Sequence, residues 1–373
     1  MTDLERILPL WRELEAAGAD YVLATVVAVE GSSYRKPGAR MLLAQDGRRA
    51  GTVSGGCLEA EVAQRAWWLT SSGPIVERYS TIADDGEMPY GSGCGGVVYI
   101  LLERRQTAHP LLIALEAAFH ARTPLAIAAV IDGPRTGRRA FAGETAEPGI
   151  SPLHDLARLA LEHHTTAEST TQLDGVPTRV WTDYRPARPG LWIFGAGDDA
   201  RPLLNLAREL GWFVAVADGR SHLATRKRFS AADEVRALPI SALPAAAPMH
   251  FRPHPTDAAV VMTHSFEQDS HILASLLALD FPLAYLGVLG PQRRTRELLA
   301  EAARLLHLSN IDERVESWLN QLHAPTGLDL GAETPATVAL SILAEVQQAI
   351  TAATALPLRQ VRRYSGNLAA ATH

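Results

Sequence analysis

The sequence predicts an α/β chain in two parts, the second built on a doubly wound parallel sheet, and three observations predict it. From residue 190 onward, strand-like and helix-like segments alternate at the spacing of βαβ units. Gly195-Ala196-Gly197-Asp198-Asp199-Ala200 spells G-x-G-x-x-A directly after an apolar strand and before a helical pattern, the context of a Rossmann-like turn. Tyr184-Arg185-Pro186-Ala187-Arg188-Pro189-Gly190 interrupts any regular element with two prolines and a glycine, so it reads as a linker. The 373 residues fit two domains at roughly 150 residues each. The expected layout is a small N-terminal α/β domain over 1–185, including a variable middle segment 107–185. A Rossmann-like domain follows over 190–352, then a loosely structured tail over 353–373.

Each element has its own signal. Leu4, Ile7, Leu8, Trp11 and Leu14 recur at three- and four-residue steps and Gly18 stops the run, which predicts a helix. Residues 21–30 are apolar and β-rich, a buried strand; 39–44 form a second, and Asp46-Gly47 supplies a hairpin turn. After Ser54-Gly55-Gly56-Cys57, Leu58, Val62, Ala66 and Leu69 mark a helix. Gly91-Ser92-Gly93-Cys94-Gly95-Gly96 leads into an apolar run at 97–103 fit for a central strand. Over 107–185 the signal weakens to a helix near 110–122, a strand at 125–131, a helix at 153–164 and a strand ending near Tyr184. The second half carries strands at 191–194, 212–217, 258–262 and 283–289. Its helices are one ending at Gly211, one at 272–279, and a final one at 334–350 with Pro335 in its first turn.

Composition narrows the function classes. Apolar residues make up 47% and charged residues 20%, an ordinary globular mix, and Lys+Arg 35 against Asp+Glu 41 gives a net charge of −6. A nucleic-acid binder would carry a basic surplus, so no nucleic-acid partner is expected. No apolar run reaches the roughly 18 residues that span a bilayer, and the opening residues lack a signal-peptide pattern, so neither membrane nor export is expected. Two cysteines rule out a disulfide scaffold and fit reduced thiols in a cytoplasm.

The glycine turn explains itself physically. Gly195 permits the tight turn, Gly197 lets a phosphate approach the helix N-terminus, and Asp218, eighteen residues past Ala200, stands where a ribose-binding acid would. That pattern makes NAD(P) a candidate cofactor. Asp198 and Asp199, however, put negative charge where a pyrophosphate needs room, and a plain tight βα turn accounts for the same glycines. Thr263-His264 follows a strand, placing His264 at the edge where such sheets bind ligands. In the first half Cys57 follows Gly55 and Gly56, and Cys94 lies between Gly93 and Gly95. Thiols in glycine-rich loops fit a soft-metal or sulfur-handling site, and equally fit small buried apolar residues. Two thiols do not close a zinc site. Arg35, Lys36 and Arg40 flank the loop after the first strand and could grip a phosphate or simply be solvated. No nucleophile, base and orienting group stand at readable spacing, so no catalytic residue is assigned and binding is expected over turnover.

Taken in order, GSSYRKPGARML, SGGCLE, GSGCGG, IFGAG, VVMTH, YLGVLG and HAPTGLDLGAETPATVALSILAE resemble the XdhC/CoxI family over roughly residues 5–350. The resemblance implies an accessory protein, a cytoplasmic chaperone that binds molybdenum cofactor (molybdopterin) in transit. It would support sulfuration by a cysteine desulfurase and deliver the cofactor to the apo-enzyme of a molybdenum hydroxylase such as xanthine dehydrogenase. It also implies a homo-oligomer. Under it, Cys57 or Cys94 would contact or shield the molybdenum and Arg35, Lys36 and Arg40 would hold the cofactor's phosphate. Gly195, Gly197, Asp218 and His264 would belong to the C-terminal site. The chain departs from the family at Asp198, where histidine is usual, and at Pro291, where serine is common. Two other readings stand beside this one: an NAD(P)-binding oxidoreductase using the Rossmann-like domain, and a cofactor-free scaffold that docks desulfurase and apo-enzyme.

Overall fold

The computed structural model describes residues 2–56, 58–80, 96–145, 149–240 and 253–361. The chain divides into two compact units between Arg188 and Pro189. Among the described residues no helix is long and apolar enough to cross a membrane.

The first unit opens with helix α1 (Asp3–Ala16), started by a capping box in which the Thr2 side chain and Glu5 satisfy each other's backbone N–H. Ile7, Leu8, Trp11 and Leu14 form its buried face. Strands β1 (Tyr21–Glu30), β2 (Arg40–Ala44), β3 (Arg49–Gly51), β4 (Ile75–Ser80) and β5 (Val97–Arg104) make one sheet in the order β3-β2-β1-β5-β4, antiparallel throughout. Strand β1 is apolar along its length because both faces are covered. Tyr21, Leu23 and Val27 join one core with α1 and α3 (Arg105–Ala121), while Val22, Ala24 and Val26 join another with α2 (Glu59–Leu69). Helix α3 starts at Arg105, earlier than the expected 110, and Pro110 sits inside it. A proline removes one N–H without forbidding the turn that precedes it.

A second sheet within this unit comes from the weakly patterned middle segment. Strands β6 (Leu125–Val130), β7 (Arg139–Phe141), β8 (Ala167–Leu173) and β9 (Val176–Arg185) pair antiparallel in the order β7-β6-β9-β8, with α4 (Ser151–His163) packed on one face. The stretch from 184, expected as linker, is therefore strand as far as Arg185.

The two sheets of this unit are joined by buried charge. Arg40 of β2 and Asp183 of β9 pair at 2.7 Å with only 3% of either side chain exposed. Arg40 also donates to the Gly38 carbonyl at 3.1 Å, and Arg185 donates to Asp183 at 3.1 Å. Burial, aided by the like charge of Arg185, pushes the Arg40 guanidinium down to about 10, against the pull of Asp183. Arg40 thus faces inward, contrary to the expectation that it joins the cations facing a ligand's phosphate. Arg139 of β7 and Glu103 of β5 form a second buried pair across the same interface.

The second unit holds β10 (Gly190–Phe194), α5 (Ala200–Glu209), β11 (Phe213–Asp218), β12 (Glu234–Ala237), β13 (Ala258–Val261), α6 (Phe266–Leu277), β14 (Tyr285–Val288), α7 (Gln292–Leu305), α8 (Ile311–Leu319) and α9 (Pro335–Thr351). Its sheet is parallel in the order β12-β11-β10-β13-β14, the doubly wound arrangement the alternation predicts. Leu191 and Ile193 pack with α5 and α9 on one face, and Trp192 and Phe194 pack with α6, α7 and α8 on the other. The chain leaves β10 toward one side of the sheet and β13 extends the other, so the switch point lies between β10 and β13.

Removing one partner of the Arg40–Asp183 pair leaves the other charge buried and alone. Arg40→Ala is expected to cost about 3–5 kcal/mol in urea unfolding, whereas Arg40→Met with Asp183→Leu recovers most of it. Equal losses in the single and double variants would show that the pair itself supplies the stability.

Candidate functional site

Two glycine-rich regions carry the expected site residues, one in each unit. In the first unit residues 52–56 and 58 are organised by Glu59, the first residue of α2. Its carboxylate accepts from the backbone N–H of Val53 at 3.2 Å and of Ser54 at 2.8 Å, and from the hydroxyls of Thr52 and Ser54. The Ser54 hydroxyl oxygen in turn accepts from the N–H groups of Gly56 at 3.2 Å and Leu58 at 3.0 Å. Burial alone would raise the Glu59 carboxyl, but the bonds from Ser54, Thr52 and the backbone outweigh it and hold it at about 2.

This loop adjoins the one after β1. A side chain at Gly55 would lie 3.5 Å from the Tyr34 ring, and one at Gly96 would lie 2.2 Å from the Ser32 carbonyl oxygen. The motifs around 31–38, 52–59 and 96 are thereby neighbours, although far apart in sequence. Tyr34 is 76% exposed and Lys36 is exposed. Arg35 is half-buried and spends its charge on Asp3 at 2.7 Å. Cys57, Cys94, Gly93 and Gly95 lie outside the described residues. Their chain neighbours Gly56 and Leu58, and Gly96, flank the region just described. A ring face and a cation beside glycine backbone suit a planar, anionic ligand.

In the second unit the site lies at the C-terminal edge of the parallel sheet. Gly195 has φ +141°, and a Cβ there would sit 2.6 Å from the Met262 carbonyl oxygen, so only glycine lets β10 come this close to the end of β13. At Gly197 a Cβ would strike the Asp199 carboxylate. His264, at φ +64° just past β13, reaches across the switch point and places Nε2 2.9 Å from the Asp199 carboxylate. Asp198 pairs with Arg228 at 2.9 Å. A cavity of about 240 Å³ opens beside them, walled by Leu203, Met262, Leu289 and Ile342 with Asp199 and Glu333 among its polar lining. That is below the roughly 300 Å³ at which ligand clefts begin, too little for a whole dinucleotide.

Asp218 takes a different part from the one its position implies. It is fully buried; one oxygen accepts from the Ala196 N–H at 2.7 Å and the other from the Arg220 N–H at 2.8 Å, while the Arg220 guanidinium grips both. Burial works against the charge, yet the bonds from Arg220 and Ala196 keep the carboxyl below its ordinary value. Its acceptors are spent holding the glycine turn, so it does not stand open to a ribose.

One cluster in this unit joins residues of the YLGVLG and HAPTGLDLGAETPATVALSILAE motifs to which the sequence assigns no role. Glu345 of α9 accepts from the Tyr285 hydroxyl and the Gly327 N–H, each at 2.6 Å, and lies 2.9 Å from His323 Nδ1. The Tyr285 and His323 rings stack at 4.2 Å, and Thr326 is buried against the Tyr285 hydroxyl. Burial and the neighbouring Glu345 push the Tyr285 hydroxyl well up, so it stays a donor. The stretch 323–331 is thus clamped onto β14 and α9. The sign available from residue type is Glu345 itself, the one charged side chain in α9. Among the described residues no group of three or more His, Cys, Asp or Glu side chains could hold a metal ion.

An antiparallel unit with gathered glycine loops, followed by a parallel unit with a modified dinucleotide turn, defines a two-domain protein of the XdhC type. Residues 191–346 match the XdhC Rossmann domain and residues 14–80 match the XdhC and CoxI family. The chain is 32% identical over 330 residues to a protein of Bacillus subtilis named as a probable xanthine dehydrogenase subunit, covering 88% of this chain and 92% of that one. It is 28% identical over 357 residues to the molybdenum cofactor insertion chaperone PaoD of Escherichia coli, covering 93% and 89%. A crystal structure described as a xanthine dehydrogenase from Bacillus halodurans superposes with a TM-score of 0.70 at 28% identity, covering 94% and 96%. The chain belongs to the XdhC/CoxI family.

The Glu59 network makes a pH prediction. The carboxyl sits at about 2 when folded against its ordinary 4.5, so its contribution is complete above pH 4.5 and is lost as pH falls towards 2. The amount at stake is on the order of 2–3 kcal/mol. Urea unfolding between pH 3 and 6 should show this slope in the native chain and a flatter one in Glu59→Gln. Identical slopes would mean that Glu59 does not hold the loop.

Proposed function

We propose that this chain is an accessory chaperone that binds molybdenum cofactor, supports its sulfuration and delivers it to a molybdenum hydroxylase such as xanthine dehydrogenase. The observation that carries the reading is the correspondence over about nine-tenths of both chains with a relative named as a molybdenum cofactor insertion chaperone. A second relative, covered to the same extent, is named as a probable xanthine dehydrogenase subunit. On this reading the protein works in the cytoplasm, as a homo-oligomer, between a cysteine desulfurase that supplies sulfur and the apo-hydroxylase that receives the cofactor.

The first unit supplies the chemistry such a cargo needs. Thiolates at Cys57 and Cys94 would meet the soft, sulfur-bearing side of molybdenum. Tyr34, beside Gly55, offers a ring face to the pterin, and Lys36 offers charge to its phosphate; Arg35, paired with Asp3, and Arg40, locked to Asp183, have theirs already taken. Gly55, Gly56, Gly93 and Gly95 would let the ligand come close to both sulfurs. In the second unit, His264 and the turn at Gly195 and Gly197 line the switch point and would contact the cargo or its client there. An NAD(P)-dependent reaction is disfavoured by Asp198 and Asp199 at the pyrophosphate position and by the spent carboxylate of Asp218.

Anaerobic titration with molybdenum cofactor, followed by desalting and assay of molybdenum and pterin, tests the proposal. Near-stoichiometric retention is expected, with loss of most of it in a Cys57→Ala/Cys94→Ala double variant. Retention by both proteins would keep the carrier and discard the thiols. No retention by either would remove the carrier reading and leave a cofactor-free scaffold.

A further inference from the structure

A cavity lined by cationic side chains lies in the first unit, outside the glycine loops. A cavity of about 410 Å³ is bounded by the first turn of α3, by Pro74 and by residues 134–139. No acidic residue lines it, and three arginines do: Arg135, Arg138 and Arg139. Helix α3 has 17 residues, no acid in its first turn and no side-chain cap, so the N–H groups of Gln106 and Thr107, two residues that line the cavity, have no intrahelical acceptor. A helix of that length presents partial positive charge at this end.

The arginines carry the argument beyond a bare helix end. The Arg139 side chain is 6% exposed and uses Nη2 on Glu103, but its buried Nη1 has no hydrogen-bond partner. Arg135 uses Nη2 on Asp174, and its buried Nη1 likewise has none. Arg138 is exposed and forms no ion pair among the described residues. Three guanidinium groups against the two carboxylates of Glu103 and Asp174 leave one positive charge over. Buried donors without acceptors are costly, and the two side chains that carry them line the same cavity as an uncapped helix N-terminus.

We infer that this cleft binds a phosphate group of a small molecule, a phosphate monoester or a pyrophosphate. Its oxygens would accept from the exposed Arg138 guanidinium and the first-turn N–H groups of α3, with the charge of Arg135 and Arg139 beside them. The site does not depend on the carrier reading. That reading supplies one source, the cofactor's phosphate seated here instead of beside Lys36; a free phosphorylated metabolite is the other.

Titration calorimetry with pyrophosphate at fixed ionic strength tests the site without molybdenum. Saturable binding is expected in the native chain, weakened roughly tenfold or more in Arg138→Glu and less in Arg138→Lys, which keeps the charge but loses the fork. Arg138 is exposed, so both variants should unfold at the native midpoint without ligand, which separates binding from folding. No saturable binding in the native chain, or equal affinity in Arg138→Glu, would overturn the site. The source is then read from cofactor retention by Arg138→Glu. Reduced retention assigns the phosphate to the cofactor, and unchanged retention alongside lost pyrophosphate binding assigns it to a separate ligand.

Discussion

The Glu59 carboxylate, buried under residues 52–56 and 58, is the constraint on which the N-terminal site rests. A chain that turns back on itself at Gly55 and Gly56 points several N–H groups inward, where water does not reach them. The carboxylate accepts from the Val53 and Ser54 N–H groups, its two oxygens offering about four lone-pair directions, and the Ser54 hydroxyl oxygen takes those of Gly56 and Leu58. Charge-assisted bonds to Val53, Ser54 and Thr52 then outweigh the cost of taking the charge out of water.

The same device recurs through the second unit. Asp218 gathers Ala196 and Arg220, Asp269 gathers Thr263 and Arg294, Asp257 gathers Trp192 and His254, and Glu345 gathers Gly327, Tyr285 and His323. Each of these acids stands at the end of a strand, at a helix start or inside a helix, and each fixes a loop at the ligand-binding edge or beside a strand. Such loops are held by a few strong polar contacts and little apolar surface. Their geometry therefore responds to single substitutions in a way that a packed core does not.

The interior strands are legible because burial on both faces writes a continuous apolar run, as in β1, β5 and β10. The strands that give no signal, β3, β4, β7, β8 and β12, are all edge strands. An edge strand pairs on one side only and is kept short or polar, as AESTTQL in β8 shows, so periodicity has little to register. Helices α7 and α8 also escape the sequence reading. At the sites, glycines and thiols announce themselves by type. Arg40 and Asp218 do not, because whether a charge faces a ligand or a partner depends on contacts made far along the chain. Asp183 lies 143 residues beyond Arg40, and Ala196 lies 22 residues before Asp218.

Charge at the two candidate regions also explains why the Rossmann-like turn is a fold signal more than a ligand signal. A dinucleotide turn works by leaving N–H groups free at the helix N-terminus, with neutral small residues around them. Here the Ala196 N–H is already taken by Asp218, and Asp198 and Asp199 add two more carboxylates at the entry to α5. Arg220 and Arg228 balance part of that charge without turning it positive, since each is paired with one of the acids. The start of α3 is the reverse: it has no acid in its first turn, and arginines line the space before it. In this chain a phosphate would meet attraction at the start of α3 and repulsion at the start of α5, so the helix that carries the dinucleotide pattern is the less suitable of the two.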